Sequence, residues 1–168
     1  FLQEMGGEPL FDLHLVGLSY ETKQATGLFT VNPDVLINEI GKTDLIIIPA
    51  IHGPMEVVLA QNAAFIPWIT DQYERGAEVA SFCVGAFFLA STGIVNGKKC
   101  STHWGFADQF KSQFPEVEVM DGAIVTEDAG VYSSGGANSY WNLLLHLIEK
   151  FVDREMAILL SKYFAIDI

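Results

Sequence analysis

The chain has 168 residues, of which 50% are hydrophobic and only 18% are charged. This length and composition predict a single globular domain with a sizeable core. Nine basic and 21 acidic residues give a net charge of -12. Such a chain repels phosphate backbones, so any contact with DNA would need another domain to supply a basic surface. No apolar run approaches the ~18 residues of a membrane span, and we expect no membrane partner.

The two cysteines, Cys83 and Cys100, form no CxxC pattern. This spacing predicts neither a disulfide framework nor a zinc site. Reduced thiols and a cytoplasmic location are the simplest expectation. Because no group of residues has the spacing of a metal site, we expect no metal ion, and we also expect no cofactor. The chain begins at Phe1, inside what the sequence predicts to be a helix, and we expect it to be a fragment.

The first forty residues predict short elements. Residues 1–5 read as the end of a helix, and the apolar alternation of residues 10–18 predicts a strand. Residues 26–31 predict a short edge strand. Residues 33–40 predict a short helix, with Asn32 as its N-cap.

The middle of the chain predicts a strand, a helix, a second strand and a second helix. Residues 44–49 predict a strand, because the apolar run Leu-Ile-Ile-Ile that follows Asp44 is typical of a parallel strand buried on both faces. A helix at residues 62–75 follows, and then a strand at 77–82. The chain turns sharply after this strand and continues as a helix at residues 86–92.

The rest of the chain continues the alternation of strands and helices. The predicted elements are strands at 98–102 and 117–119, a helix at 105–114, a strand pair at 124–126 and 131–133, and helices at 139–151 and 155–164. Alternating strands and helices predict an α/β domain in which helices cover both faces of a mostly parallel sheet.

Cys83 stands at the corner between the strand at 77–82 and the helix at 86–92. This outline matches the strand–turn–helix elbow that presents a nucleophile in α/β enzymes. A cysteine at a helix N-terminus tends toward the thiolate, because the unpaired N–H groups there carry partial positive charge. The elbow alone leaves three roles open for Cys83: a nucleophile, a pocket or redox-sensitive residue, or a small residue that packs well.

A nucleophilic Cys83 would need a general base. His103, which lies 20 residues further along the chain, is the candidate. The backbone N–H groups of Val84 and Gly53 could then stabilise an oxyanion. His103 could equally fix a turn by hydrogen bonds.

Ligands of open α/β sheets bind outside the carboxyl ends of the strands. Three segments lie at these strand ends in the predicted fold, and we expect them to converge: residues 52–53, 83–85 and 134–136. The predicted pocket residues are His52, Gly53, Cys83, Val84, Gly85, His103, Gly135, Gly136 and Asn138. Gly135 and Gly136, which we call the glycine corner, could bind a carboxylate or an amide through their N–H groups, or Asn138 could simply cap the following helix.

Several stretches carry a family likeness. Ile-Pro-Trp-Ile at 66–69, Gly-Ala-Glu-Val-Ala-Ser-Phe-Cys-Val-Gly-Ala-Phe-Phe-Leu-Ala at 76–90 and Gly-Ile-Val-Asn-Gly-Lys-Lys-Cys-Ser-Thr-His-Trp at 93–104 resemble the ThiJ/PfpI superfamily. This superfamily has the class I glutamine amidotransferase-like fold. The resemblance implies a flavodoxin-like three-layer sandwich that spans residues 1–168, without the first strand of the fold.

Within this superfamily, Cys-x-Gly-Ala-Phe-x-Leu-Ala followed by Thr-His-Trp resembles the N-terminal sensor domain of AraC/XylS-type transcription regulators. This implies a small-molecule effector, a homodimer, and DNA contacts through a C-terminal helix-turn-helix domain. The kinship of the fold with amidotransferases implies an amino-acid-like or amine-like effector, by analogy alone.

The alternative implied by the same resemblance is a cysteine-dependent hydratase or amidohydrolase of the isonitrile hydratase type. Cys83 and His103 would then be its catalytic residues, together with a carboxylate from the missing first strand. Val84 departs from the enzymes at a key position. Protease-like members have His after the cysteine, and isonitrile hydratases resemble Cys-Thr-Gly there. The sequence therefore favours a sensor, and we do not expect an enzyme.

Overall fold

The computed structural model describes residues 9–23 and 30–166. The chain divides into two compact units, Phe1–Gly41 and Lys42–Ile168. The helix end predicted at residues 1–5 and most of the edge strand predicted at 26–31 lie outside the described residues. Within the described parts of the chain, none of the helices has the length and hydropathy that crossing a bilayer requires.

The described residues of the first unit form four two-residue strands. They are β1 (Val16–Gly17), β2 (Thr22–Lys23), β3 (Thr30–Val31) and β4 (Val35–Leu36). β1 pairs with β4 in parallel, and β2 pairs with β3 in antiparallel orientation. The strand predicted at residues 10–18 is therefore limited to β1.

The helix predicted at residues 33–40 is wrong, because its centre is strand β4. The side chain of Asp34 explains the difference. Its carboxylate accepts the N–H of Leu15 at 2.5 Å and lies 2.9 Å from Nδ1 of His14. The N–H of Asp34 also donates to the carbonyl of Leu15 at 3.0 Å. These bonds to distant residues hold the segment extended and outweigh the local helix signal.

The second unit carries the remaining elements. In chain order they are β5 (Leu45–Ile48), α1 (Met55–Gln61), α2 (Phe65–Glu74), β6 (Glu78–Phe82), α3 (Ala86–Ser91), β7 (Lys99–Cys100), α4 (Ala107–Gln113), β8 (Glu118–Val119), β9 (Val125–Asp128), β10 (Val131–Ser134), α5 (Tyr140–Phe151) and α6 (Arg154–Phe164). Their order matches the sequence prediction, except that α1 was not predicted and the helix expected from residue 62 begins at Phe65. Asn62 ends α1, since its side-chain amide donates to the carbonyl of Val58 at 2.8 Å.

The main sheet has the strand order β5-β6-β10-β9. β6 pairs in parallel with both β5 and β10, and only β9 is antiparallel. β7 and β8 form a separate parallel pair. The carboxyl ends of β5, β6 and β10 therefore lie at one edge of the sheet, as the sequence predicts.

Helices pack on both faces of this sheet. Val79 belongs to the core cluster that includes Phe87 of α3 and Phe110 of α4, while its neighbour Ala80 packs against Leu143 of α5 on the other face. Successive strand residues point to opposite faces, and this alternation produces three layers. The flavodoxin-like α/β architecture predicted from the sequence is confirmed.

A charged cluster ties α5 to the sheet near the amino end of β6. Nζ of Lys150 lies 3.0 Å from Oε1 of Glu78 and 3.3 Å from Oε1 of Glu127. The buried Tyr132 donates its hydroxyl to Oε2 of Glu78 at 2.7 Å, and His146 contacts Glu127 at 2.7 Å. Burial raises the pKa of Glu127, but the hydrogen bonds from His146 and Lys150 outweigh this effect and hold that pKa below its ordinary value.

Candidate functional site

The predicted elbow is present at Cys83. A single turn of 3-10 helix over Cys83–Gly85 joins β6 to α3, and the backbone φ of Cys83 is +53°. A non-glycine residue costs about 1 kcal/mol or more in this region, so the surrounding structure must hold it there. The side chain of Cys83 is partly exposed. The fold thus presents this thiol on a strained corner, as it does for the nucleophile of an α/β enzyme.

The elbow packs directly on the end of β5. A Cβ atom added at Gly85 would lie 2.5 Å from the carbonyl oxygen of Pro49 and 3.0 Å from that of Ile48. Glycine is needed at this position because two backbone segments meet there. His52 and Gly53 follow β5 in an exposed loop, and the φ of Gly53 is +125°.

The end of β10 and the segment after β7 meet the elbow from the other side. The hydroxyl of Thr102 donates to the carbonyl of Cys83 at 3.2 Å. A Cβ atom at Gly135 would lie 2.4 Å from the carbonyl oxygen of Ala123 and 3.4 Å from that of Thr102. The structure therefore brings together the elbow, Thr102 and the glycine corner at one edge of the sheet.

The N–H groups of the glycine corner already have partners within the chain. The N–H of Gly135 donates to the carbonyl of Ile124 at 3.1 Å. The N–H of Gly136 donates to the hydroxyl of Ser139 at 2.9 Å. Ser139, one residue after the exposed Asn138, thus closes the turn that precedes α5. A ligand bound through these two donors would have to displace both contacts.

His103 takes part in a local turn in this conformation. Its Nδ1 accepts the N–H of Gly105 at 3.2 Å, so a neutral ring carries its proton on Nε2. The ring packs against Trp104 and Phe106, with centroids 5.5 and 5.9 Å away. In the described parts of the chain, no hydrogen bond links the thiol of Cys83 to His103 or to a carboxylate. The cysteine–histidine pair that the enzyme alternative needs is therefore not formed in this conformation.

A cavity of about 250 Å³ opens beside Thr102. Its lining residues are Thr102, Trp104, Ala107, Asp108, Lys111, Val119, Met120, Asp121 and Gly122. Trp104 forms one wall, and its side chain is 80% exposed. The elbow and the glycine corner do not line this cavity, and Thr102, which bonds to the carbonyl of Cys83, is the residue that joins the two regions.

Three charged side chains line the cavity. Lys111 on α4 forms an ion pair with Asp121 in the turn after β8. The hydrogen bond to Asp121 raises the pKa of Lys111, although burial opposes it, and the charges of Asp121 and Asp108 add to the rise. One ammonium and two carboxylates beside an indole ring suit a small cationic or zwitterionic ligand. No motif or spacing in the sequence pointed to these residues.

A layer of buried hydroxyl groups lies at the same edge of the sheet. The hydroxyl of Ser133 accepts the N–H of Ser101 at 2.6 Å and contacts the hydroxyl of Thr126 at 2.6 Å. Ser81 and Ser134 are also buried, and neither hydroxyl has a hydrogen-bond partner among the described residues. Apart from the Ser-Ser-Gly-Gly motif, no sequence pattern pointed to this layer, because its members come from β6, β9, β10 and the segment after β7.

Two further features limit the chemistry of the domain. Burial raises the pKa of Cys100 to about 11, so this thiol is a poor nucleophile. Across residues 9–23 and 30–166, no group of three or more His, Cys, Asp or Glu side chains is placed to hold a metal ion. Cys83 is therefore the thiol available for chemistry or contact in this part of the chain.

The fold and the cysteine elbow indicate a class of α/β proteins, and comparison with known families identifies the family. Residues 8–150 match the sequence model of the DJ-1/PfpI family, and the chain belongs to this family. The resemblance to ThiJ/PfpI proteins drawn from the sequence is thereby confirmed.

Individual relatives include both regulators and enzymes. The chain is similar to the HTH-type transcriptional regulator GbdR of Pseudomonas aeruginosa, with 24% identity over 161 residues that cover 96% of this chain and 43% of GbdR. It is also similar to an isonitrile hydratase of Pseudomonas putida, with 26% identity over 135 residues that cover 79% of this chain and 56% of the hydratase. The chain thus spans less than half the length of the regulator that it matches.

Comparison with a solved structure supports the same fold. A Vibrio parahaemolyticus protein assigned as a transcriptional regulator superposes with a TM-score of 0.77 at 25% identity. The match covers 90% of this chain and 78% of that chain. The sequence and structural relatives therefore agree on the fold and include regulators in both comparisons.

Proposed function

We propose that this chain is the effector-sensing domain of an AraC-type transcription regulator. The similarity to GbdR supports the proposal, because it extends over nearly the whole chain but less than half of GbdR. The net charge of -12 also supports it, since DNA contacts would then belong to a C-terminal helix-turn-helix domain. The proposed regulator acts in the cytoplasm as a homodimer, and its first sheet strand precedes the residues of this chain.

The observation that carries the proposal is an elbow without a catalytic pair. Cys83 has the strained backbone of a nucleophile, but among the described residues no hydrogen bond joins its thiol to a histidine. Val84 follows it with an apolar side chain. Because His103 is engaged in its own turn and Val84 offers no proton-transfer group, the elbow in this conformation is better suited to contact a ligand than to turn it over.

The proposed effector is a small amino-acid-like or amine-like molecule. Its site extends from the cavity beside Thr102 to the elbow, with the predicted residues at 52–53, 83–85, 103 and 135–138 around it. Asp108 would pair with the cationic group, Lys111 with a carboxylate if one is present, and the indole of Trp104 would cover the cation. Binding would change the dimer geometry and so the placement of the DNA-binding domains.

Thermal unfolding of the domain with a panel of amino acids and small amines tests the proposal. A ligand at 100 times its Kd stabilises the folded state by about 2.7 kcal/mol, which corresponds to a Tm increase of roughly 5–10 °C for a chain of this size. Asp108→Asn should remove most of this increase. Asp71→Asn, which changes an exposed aspartate on α2, should retain it. Equal stabilisation of both variants would contradict the proposed site.

A second candidate function is an isonitrile-hydratase-type enzyme, and the +53° φ of Cys83 favours it. Such an enzyme adds water to an isonitrile carbon and yields an N-substituted formamide. Incubation with a small alkyl isonitrile and detection of the formamide by mass spectrometry decides between the two. The sensor proposal predicts no turnover, whereas turnover that disappears in Cys83→Ser would establish the enzyme.

A further inference from the structure

A row of aromatic rings runs from the elbow to the end of α6. The ring of Phe82, the residue before Cys83, lies 5.9 Å from that of Tyr140. The Tyr140 ring lies 4.8 Å from Trp141, and Trp141 stacks on Phe164 at 5.4 Å and 29°. Each distance is within the range of favourable aromatic pairs. We call Phe82, Tyr140, Trp141 and Phe164 the aromatic row.

The row bends around the first turn of α5. Consecutive helix residues normally point in different directions, and Tyr140 and Trp141 use this divergence to contact the sheet on one side and α6 on the other. The end of α6 is held as well: Ala165 has a left-handed φ of +52°, and the N–H of Ile166 donates to the carbonyl of Ser161 at 2.8 Å. A displacement at the start of α5 would therefore change the packing at both ends of the row.

The corner before α5 has the features of an element with two arrangements. Ser134 pairs in register with Phe82, is fully buried, and has no partner for its hydroxyl among the described residues. A buried hydroxyl without a partner costs free energy, so a second arrangement that supplies a partner would regain that free energy and offset part of its own cost. Gly135 and Gly136 follow immediately and allow the backbone to change.

We propose that the aromatic row couples the elbow to the end of α6 through a shift of the corner and the start of α5. A change at the elbow or the corner moves Tyr140 and Trp141, and this alters the contact of Trp141 with Phe164. The coupling is a property of the domain itself. Its use as the output of the sensor rests on the proposed function.

A double-mutant cycle tests this coupling without an effector or DNA. Phe82→Leu, Phe164→Leu and the double variant are unfolded with denaturant, and the unfolding constants are compared. No ring contact joins Phe82 to Phe164 directly in the described residues, so independent effects would multiply. We expect the change in the unfolding constant of the double variant to differ from the product of the two single-variant changes by about twofold or more. This is the lower limit of measurable coupling.

Leu159 provides the matched control in this cycle. It lies on the same helix and is 44% exposed, but it is not part of the aromatic row. Phe82→Leu combined with Leu159→Ala should show multiplicative effects. The proposal would be overturned if the effects were multiplicative in both cycles. It would also be overturned if both cycles departed equally from the product, because the aromatic row would then have no special role.

A second measurement does not depend on the folding of the Phe82 variant. Iodoacetamide should carbamidomethylate Cys83 and leave the buried Cys100 unmodified. We expect hydrogen–deuterium exchange of the amides at residues 161–166 to change at least twofold on labelling, with no change in α2, and we expect Trp141→Leu to abolish the effect. Unchanged exchange at 161–166, or a change that persists in Trp141→Leu, would overturn the proposal. Neither result would bear on whether the domain senses an effector.

Discussion

The elbow has no room for a side chain at Gly85, and Gly85→Ala is therefore a sharp test of the described packing. The added Cβ atom would lie 2.5 Å from the carbonyl oxygen of Pro49 and 3.0 Å from that of Ile48. Both are backbone atoms of the segment that ends β5, so no flexible side chain can move aside. The substitution must push the elbow and β5 apart.

The magnitude follows from two opposing effects at Gly85. Its φ of -59° and ψ of -20° suit alanine, and the helix preference of alanine over glycine would stabilise the fold by up to ~1 kcal/mol. Overpacking of a well-packed site typically costs about 1–3 kcal/mol, and more when backbone must move. We expect the steric effect to win, with a net loss of about 2 kcal/mol and a Tm decrease of roughly 4–8 °C.

Thermal and denaturant unfolding followed by circular dichroism measure this loss. Gly41→Ala is the matched control, because no heavy atom of the described residues, apart from its chain neighbours, lies within 4 Å of the Cβ position there, and it should change the free energy of unfolding by less than about 0.5 kcal/mol. If Gly85→Ala were as stable as Gly41→Ala, the close approach of the elbow to β5 would be wrong.

Three further predictions follow from the described contacts. Iodoacetamide should add one label to the native protein, at Cys83, and two after unfolding; peptide mass spectrometry checks this, and native labelling of Cys100 would contradict its burial. Lys150→Met should lower the free energy of unfolding by about 1–2 kcal/mol, because it leaves partly buried carboxylates without their cation; denaturant unfolding measures the loss, and an unchanged midpoint would contradict it. The lowered pKa of Glu127 contributes stability above the unfolded pKa of 4.5 that is lost as pH falls through the folded value. In Glu127→Gln, the unfolding midpoint should therefore fall less steeply between about pH 5 and 3 than in the wild type. Denaturant unfolding at several pH values measures this, and an unchanged pH dependence would mean that other groups cause it.

Local sequence patterns were enough to predict the elbow and the layers. The apolar strand before Cys83, the glycine two residues after it and the helix that follows are all set by neighbouring residues. The same holds for α5 and α6, whose apolar faces repeat with helical spacing. These elements could be predicted because short-range propensity and tertiary packing favour the same structure.

Contacts between distant residues explain what the sequence did not predict. The helix expected at residues 33–40 is replaced by β4 because Asp34 bonds to Leu15 and His14, about 20 positions earlier. The cavity depends on the packing of α4 beside the turn after β8, which places Lys111 next to Asp121. The sequence analysis missed α1 as well: it is only seven residues long and has no fully buried side chain, although Met55 and Leu59 pack against the core.

The central claim is that this domain senses an effector for an attached DNA-binding half. The most direct measurement is the affinity of the full-length gene product for a DNA fragment that it selects from genomic DNA, with and without a compound that raises the Tm of the isolated domain. We predict that the compound changes the DNA affinity by about 5–150-fold, the usual range of allosteric coupling, and that Asp108→Asn removes the change. A full-length product with the same DNA affinity in the presence and absence of that compound would contradict the account.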